Sequence, residues 1–165
     1  AVIDGARRFG NGRCLPAGPL REPVSRLKEV QARVTLGEAQ AGEWAMALEA
    51  KSFHRLEAPE ATAEVDRFQG QPMHAVAGIG HPARFFDQLR RLGLDIVPHP
   101  FPDHHRFRER DLAFGDAHET VMTQKDAVKC ERLAGVTGWY LAVEVRPDPA
   151  FAEFVQRWLK ERTHG

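Results

Sequence analysis

From residue 73 onward the apolar and polar positions switch between two periods. Met73 to Ala77 is a short apolar run, and Gly78-Ile79-Gly80 after it is a tight turn. Pro82 to Leu92 then places Phe85, Phe86 and Leu89 on one face at helical spacing, and Gly93 stops the helix. Leu94 to Val97 is a second apolar strand, Arg108 to Phe114 a short helix, and Thr120 to Met122 a third strand. Gln124 to Leu133 follows as a helix, with Thr123 and Asp126 at capping-box spacing and Asp in place of the usual Glu or Gln. Trp139 to Val145 is a strand, and Pro149 to Arg162 a closing amphipathic helix.

The first half has a weaker pattern. Residues 1–4 read as the end of a strand, and residues 5–22 as a loop punctuated by Gly5, Gly10, Gly12, Pro16, Gly18 and Pro19. Pro23 opens a helix through Lys28, and Val30 to Leu36 alternates as a strand. Residues 43–70 predict short strands with irregular joins, and the prolines and Gly70 mark a boundary. The expected organisation is 1–70 as the end of a core and 71–165 as a C-terminal α/β subdomain. Strands alternating with helices make the fold class α/β, a mostly parallel sheet with flanking helices.

Composition narrows the function. The 165 residues carry 23 Lys and Arg against 23 Asp and Glu, so bulk attraction to nucleic acid or anionic lipid is not expected. Cys14 and Cys130 form no metal-ligand spacing and no disulfide framework, which suits a reducing cytoplasm. No apolar run is long enough to span a bilayer. The chain opens Ala1-Val2-Ile3-Asp4-Gly5, inside a strand and without methionine. It is therefore expected to be the C-terminal part of a longer protein.

Five segments carry candidate chemistry. Asp4 ends an apolar strand, where a carboxylate either helps hold magnesium or forms an Asp-Gly turn. The loop 5–22 presents Arg7, Arg8, Arg13 and Arg21, with Asn11 and Glu22. It is either a phosphate-binding loop or a surface connection. Gly78-Ile79-Gly80-His81-Pro82 lacks the Lys-Ser/Thr pair of a Walker A loop and reads as a tight turn before a packed helix, with His81 capping or exposed. Asp103-His104-His105 places an acid beside two imidazoles. Asp103 or His104 can serve as base or orienter, His99, His104 and His105 can recruit a metal, or the loop is simply solvated. Lys125 stands in the first turn of a helix, where a cation opposes the dipole, so it calls for a carboxylate or phosphate partner.

Together, and in this order, the segments resemble the tetraacyldisaccharide 4'-kinase family of lipid A biosynthesis. The matching stretches are Val2-Ile3-Asp4-Gly5 with Arg8-Phe9-Gly10-Asn11-Gly12, then Leu15-Pro16-Ala17-Gly18-Pro19-Leu20-Arg21-Glu22. Ala77-Gly78-Ile79-Gly80-His81-Pro82 with Phe85-Phe86, Phe101-Pro102-Asp103-His104, and Met122-Thr123 with Lys125-Asp126-Ala127-Val128-Lys129 complete the set. Residues 37–70 match weakly.

The resemblance implies the C-terminal part of a P-loop kinase-like fold. It implies ATP and Mg2+, and transfer of the γ-phosphate to the 4'-hydroxyl of a lipid disaccharide 1-phosphate. The expected place is the cytoplasmic face of the bacterial inner membrane, peripherally bound through a part not included here. Carried over residue by residue, His104 and Asp103 are catalytic. Arg21, Glu22, Arg8 and Asn11 lie near phosphates or substrate, and Asp4 is a candidate magnesium ligand. A Walker A loop is absent from these residues, so this stretch alone is expected to be inactive. The alternatives are a non-catalytic α/β binding module and a metal-dependent hydrolase using the histidine loop.

Overall fold

The computed structural model describes residues 1–131, 133 and 135–163. Contacts group them into two compact units, one of Ala1–Glu49 with the stretch from Glu144, the other of Ala50–Val143. Two strands, β3 (Trp44–Arg55) and β8 (Trp139–Pro147), have residues in both. No helix among the described residues is long and apolar enough to cross a membrane.

In the first unit, β1 (Val2–Asp4) pairs in parallel with β2 (Val34–Leu36), and β2 in parallel with the start of β3. Ile3, Val34 and Thr35 are the buried positions here. Trp44 packs against Phe151 and Phe154 of α3 (Pro149–Thr163), with ring centroids 5.4 and 4.8 Å apart. The helix expected after Pro23 is a single 3-10 segment, Val24–Lys28, with no buried residue. A segment with nothing to bury gains no packing to extend it.

In the second unit, β5 (Pro72–Ala77) lies between β6 (Asp95–Pro100) and β7 (Thr120–Thr123), and β7 pairs with β8, all in parallel. The short strand β4 (Thr62–Ala63) is antiparallel to β3. The mostly parallel α/β sheet read from the sequence is therefore present. Residues 73 to 77 of β5 are all buried, as expected of a strand covered on both faces. His74 is the polar exception within that run. Pro98 and Pro100 sit in β6, an edge strand that tolerates residues without an N–H donor.

Helix α1 (Pro82–Arg91) begins at His81, whose Nδ1 accepts the Arg84 N–H at 3.3 Å. It buries Phe85, Phe86 and Leu89, and ends at Gly93, whose φ of +80° suits glycine. Each fully buried large apolar side chain contributes about 1.5–3 kcal/mol relative to exposure.

Four expectations need correction. Residues 43–70 contain one long strand, β3, rather than only short ones. Along it Phe53 alone is fully buried, so the ladder holds a stretch whose side chains show little periodicity. Residues 50–70 also group with the second unit, because Phe53 and Phe68 share a core with Met73 and Trp139. The helix expected over 108–114 is a single turn, Glu109–Asp111. Helix α2 runs Gln124–Cys130, shorter than the expected 124–133, of which Arg132 lies outside the described residues.

Candidate functional site

Three sequence segments converge in the second unit at the C-terminal ends of β5, β6 and β7. These are the turn Gly78–Gly80, the loop Asp103–His105, and the start of α2. Their keystone is Asp126, a fully buried carboxylate. Its Oδ2 accepts the Gly78 backbone N–H at 2.8 Å and the Thr123 hydroxyl at 2.7 Å, and its Oδ1 accepts from Lys129 Nζ at 2.6 Å. Lys129 also donates to the Gly78 carbonyl at 3.2 Å. Thr123 caps α2 as its spacing predicts, its hydroxyl accepting the Asp126 N–H at 3.1 Å. The Asp126 carboxylate, however, is directed across to β5. A Cβ on Gly78 would lie 3.1 Å from the Phe107 ring and 3.2 Å from Asp126 Oδ1, so only glycine fits this approach without displacement.

Lys125 projects from the first turn of α2 to Asp103, with Nζ 3.0 Å from Oδ1. This supplies the carboxylate partner that its position against the helix dipole calls for. The Asp103 carboxyl is held below its ordinary range, chiefly by the Lys125 hydrogen bond, with help from the His104 backbone N–H at 2.9 Å. The other oxygen, Oδ2, lies 3.7 Å from His104 Nε2. The His104 side chain is 80% exposed, and its backbone has a left-handed φ of +61°.

The neighbouring imidazole is different. His105 Nε2 is 3.0 Å from Asp111 Oδ2, and its ring packs 4.7 Å from Phe101 and 4.9 Å from Phe107. His105 is thus a packing residue, and His104 presents its ring to solvent beside a fixed carboxylate. Such a pair can accept a proton from an approaching hydroxyl while the acid orients the imidazole. His99 is elsewhere, with Nε2 2.9 Å from His74 Nδ1. Among the described residues His99, His104 and His105 do not gather as one ligand set, which removes the arrangement that a hydrolase on this loop requires.

The remaining candidates lie in the first unit. Asp4, Arg8 and Glu22 line a groove of about 400 Å3. Asp4 Oδ1 accepts the backbone N–H groups of Ala6 and Arg7 at 3.0 and 3.2 Å, the turn-forming role. Arg8 makes a two-pronged contact to Glu43 at 2.9 and 2.7 Å and bonds Gln40 at 2.9 Å. Glu43 is nearly covered, and its carboxyl is lowered to about 2, first by Arg8 and then by the Thr35 hydroxyl. A phosphate at Arg8 would have to compete with that pair. Asn11 braces its own loop, donating to the Ala17 carbonyl at 2.9 Å and accepting the Arg13 N–H at 3.1 Å. Arg21 and Glu22 are exposed, with Glu22 3.6 Å from Arg26.

Sequence reading missed the reach of Asp126 to Gly78 and the Arg8–Glu43 pair. The Thr123-x-x-Asp126 spacing signalled a cap but carried nothing about the facing turn. No local pattern links Arg8 to a residue 35 positions away.

The family model described as LpxK, tetraacyldisaccharide-1-P 4'-kinase, matches residues 1–160. A tetraacyldisaccharide 4'-kinase of Nitrosococcus oceani is 48% identical over 160 residues, covering 97% of this chain and 47% of that protein. Another, of Alkalilimnicola ehrlichii, is 51% identical over 159 residues, covering 96% and 48%. The chain spans about half the length of the curated relatives it matches. A crystal structure described as an "apo" form of LpxK from Aquifex aeolicus in complex with ATP superposes with a TM-score of 0.65 at 20% identity. That likeness covers 94% of this chain and 50% of the other, and at such identity it establishes a shared fold.

Proposed function

This chain belongs to the tetraacyldisaccharide-1-P 4'-kinase family, and on that premise we propose that it serves transfer of the ATP γ-phosphate to the 4'-hydroxyl of tetraacyldisaccharide 1-phosphate. In the reaction the hydroxyl oxygen bonds to the γ-phosphorus as the β,γ-bridging P–O bond breaks, leaving ADP. His104 takes the hydroxyl proton, and Asp103 orients the imidazole that receives it. The observation that carries this reading is the Lys125–Asp103 ion pair at 3.0 Å, which fixes the acid beside an exposed histidine.

ATP as donor is supported by the description of the Aquifex aeolicus structure as an ATP complex. The 165 residues contain no Gly-x-x-x-x-Gly-Lys-Ser/Thr run, so the nucleotide's phosphates are cradled by residues other than these. The stretch alone is therefore inactive in this reading. Magnesium, when bound, neutralises phosphate charge. Asp4 does not build a magnesium site by itself, because its Oδ1 already accepts two backbone N–H groups. The ion's usual mode, one or two carboxylates plus substrate phosphates, needs no cage on this chain. Arg21 and Glu22 remain exposed and available to substrate. An acylated substrate is met at a bilayer surface, which favours peripheral action at the cytoplasmic face of the inner membrane.

The test is transfer of labelled phosphate in a family-length kinase carrying these residues, with ATP binding measured in parallel. His104→Ala should lower kcat by about 10²–10⁴-fold and leave ATP affinity unchanged. Equal loss of both would assign His104 a structural role, no loss of either would remove His104 from the proton transfer, and no transfer by the parent itself would favour the non-catalytic binding module.

A further inference from the structure

The buried histidine in β5 belongs to a second polar cluster, at the opposite end of β7 from Lys125. His74 Nε2 faces the Asp116 carboxylate, 3.0 Å from Oδ1 and 3.1 Å from Oδ2. His118 Nδ1 lies 3.3 Å from Asp116 Oδ2. One ligand atom from each of His74, Asp116 and His118 lies within 4.8 Å of the others. A tetrahedral zinc ion with bonds of about 2.0–2.1 Å sets its ligand atoms roughly 3.3–3.4 Å apart. The two measured edges are already close to that separation.

We propose that His74, Asp116 and His118 form a zinc-binding site, with the fourth position open to solvent or a small ligand. Two imidazoles and one carboxylate form a donor set of borderline softness. It favours zinc over magnesium, which takes oxygen ligands almost alone.

The surroundings are built for coordination. His74 Nδ1 is 2.9 Å from His99 Nε2. With the proton on Nδ1, His74 donates to His99 and turns the Nε2 lone pair toward Asp116 and His118. A histidine ligand usually donates its second ring N–H in this way, which fixes tautomer and ring angle. Phe114 packs on both rings, 4.0 Å from His74 and 4.1 Å from His99, and holds them in place. Asp116 is positioned by its own loop, its Oδ1 accepting the His118 backbone N–H at 2.9 Å. His74 is rigid because β5 pairs on both sides, opposite Val97 and Thr120. Asp116 and His118 are exposed and line a cavity of about 290 Å3, which gives an ion a route in and room for the open position.

The His74–Asp116 contact has a competing explanation, a proton shared along His99, His74 and Asp116 with no metal. The two differ in the need for His118, which such a relay does not use. The experiment loads the full chain with zinc, dialyses it against buffer without chelator, and measures bound metal by mass spectrometry. About one zinc per chain should remain. Asp116→Asn and His118→Ala, both exposed positions that leave the core intact, should each lose it, and His104→Ala should keep it. His99→Phe should weaken zinc affinity by about 10–100-fold without abolishing binding. Cobalt in place of zinc should give the intense visible bands of a tetrahedral ion. Zinc well below one per chain in the parent, or retained equally by His118→Ala, overturns the proposal. Because the readout is metal content, its failure is independent of any result on phosphate transfer.

Discussion

Asp126 and Gly78 stand 48 positions apart and meet at 2.8 Å, carboxylate oxygen to backbone N–H. That contact ties the turn after β5 to the start of α2. Lys125, the residue before Asp126, then reaches Asp103 on the loop after β6. Three segments of sequence are thereby held in one arrangement around a buried acid.

Replacing Asp126 should therefore cost stability first. Asp126→Ala strands the Lys129 ammonium and two further donors, and breaking a buried pair in this way costs about 3–5 kcal/mol. The midpoint of urea unfolding reads the loss. Asp126→Ala/Lys129→Met should recover part of it, because the uncompensated charge is gone. A double variant no better than the single would show that the charge is not what destabilises it.

Glu43 gives the first unit an acid-sensitive element. Its carboxyl is lowered from 4.5 to about 2, mainly by Arg8. A depressed folded-state value means that the pair's stabilisation is fully present above pH about 4.5. It is lost as pH falls toward about 2, where the folded carboxyl takes up its proton. Glu43→Gln should be less stable at neutral pH by about 1.5–3 kcal/mol, the usual contribution of a hydrogen bond to a charged group. It should also show a flatter melting temperature between those two pH values. Parallel acid profiles for parent and variant would remove Arg8–Glu43 as the source.

Much of the second unit was legible in the sequence because its signals are local. Phe85, Phe86 and Leu89 share a helical face, Gly93 supplies the stop, and the unbroken burial of residues 73 to 77 follows from an apolar run. Lys125 was conspicuous because a cation in a first helical turn needs a reason. The long strand β3 was not legible, since Ala45, Ala47, Ala50 and Ser52 give no alternation and the strand is held by backbone pairing. The Arg8–Glu43 pair and the His74–Asp116 contact join residues far apart in the chain. Local pattern cannot encode such pairings.

Lys125 should hold the acid of the proposed catalytic pair in place. Its Nζ lies 3.0 Å from Asp103 Oδ1, and that hydrogen bond is the leading cause of the lowered Asp103 carboxyl. Lys125→Met removes the contact and leaves the carboxylate free to turn away from His104. In the family-length kinase kcat should then fall by about 10-fold, a part of what acid–base catalysis supplies, with the KM for ATP unchanged. Lys125→Arg, which can keep the ion pair, should restore most of the rate. A kcat unchanged by Lys125→Met would detach Asp103 from the proton transfer.

The two adjacent histidines should separate stability from function. His104 is exposed and holds a left-handed backbone, a conformation that costs an ordinary residue about 1–2 kcal/mol and glycine nothing. His104→Gly relieves that strain, and the extra freedom glycine has when unfolded offsets part of the gain. Stability should therefore stay within about 1 kcal/mol of the parent. His105 instead bonds Asp111 and packs on Phe101 and Phe107. His105→Ala should cost about 1–3 kcal/mol, the range for losing a partly buried polar contact and its packing. In the family-length kinase the order should reverse. His104→Gly should abolish most turnover in a fully folded protein, and His105→Ala should lose only the fraction that unfolds. Calorimetry and initial rates on the same preparations decide it. A folded His104→Gly enzyme that retains its rate would take the proton transfer away from this loop.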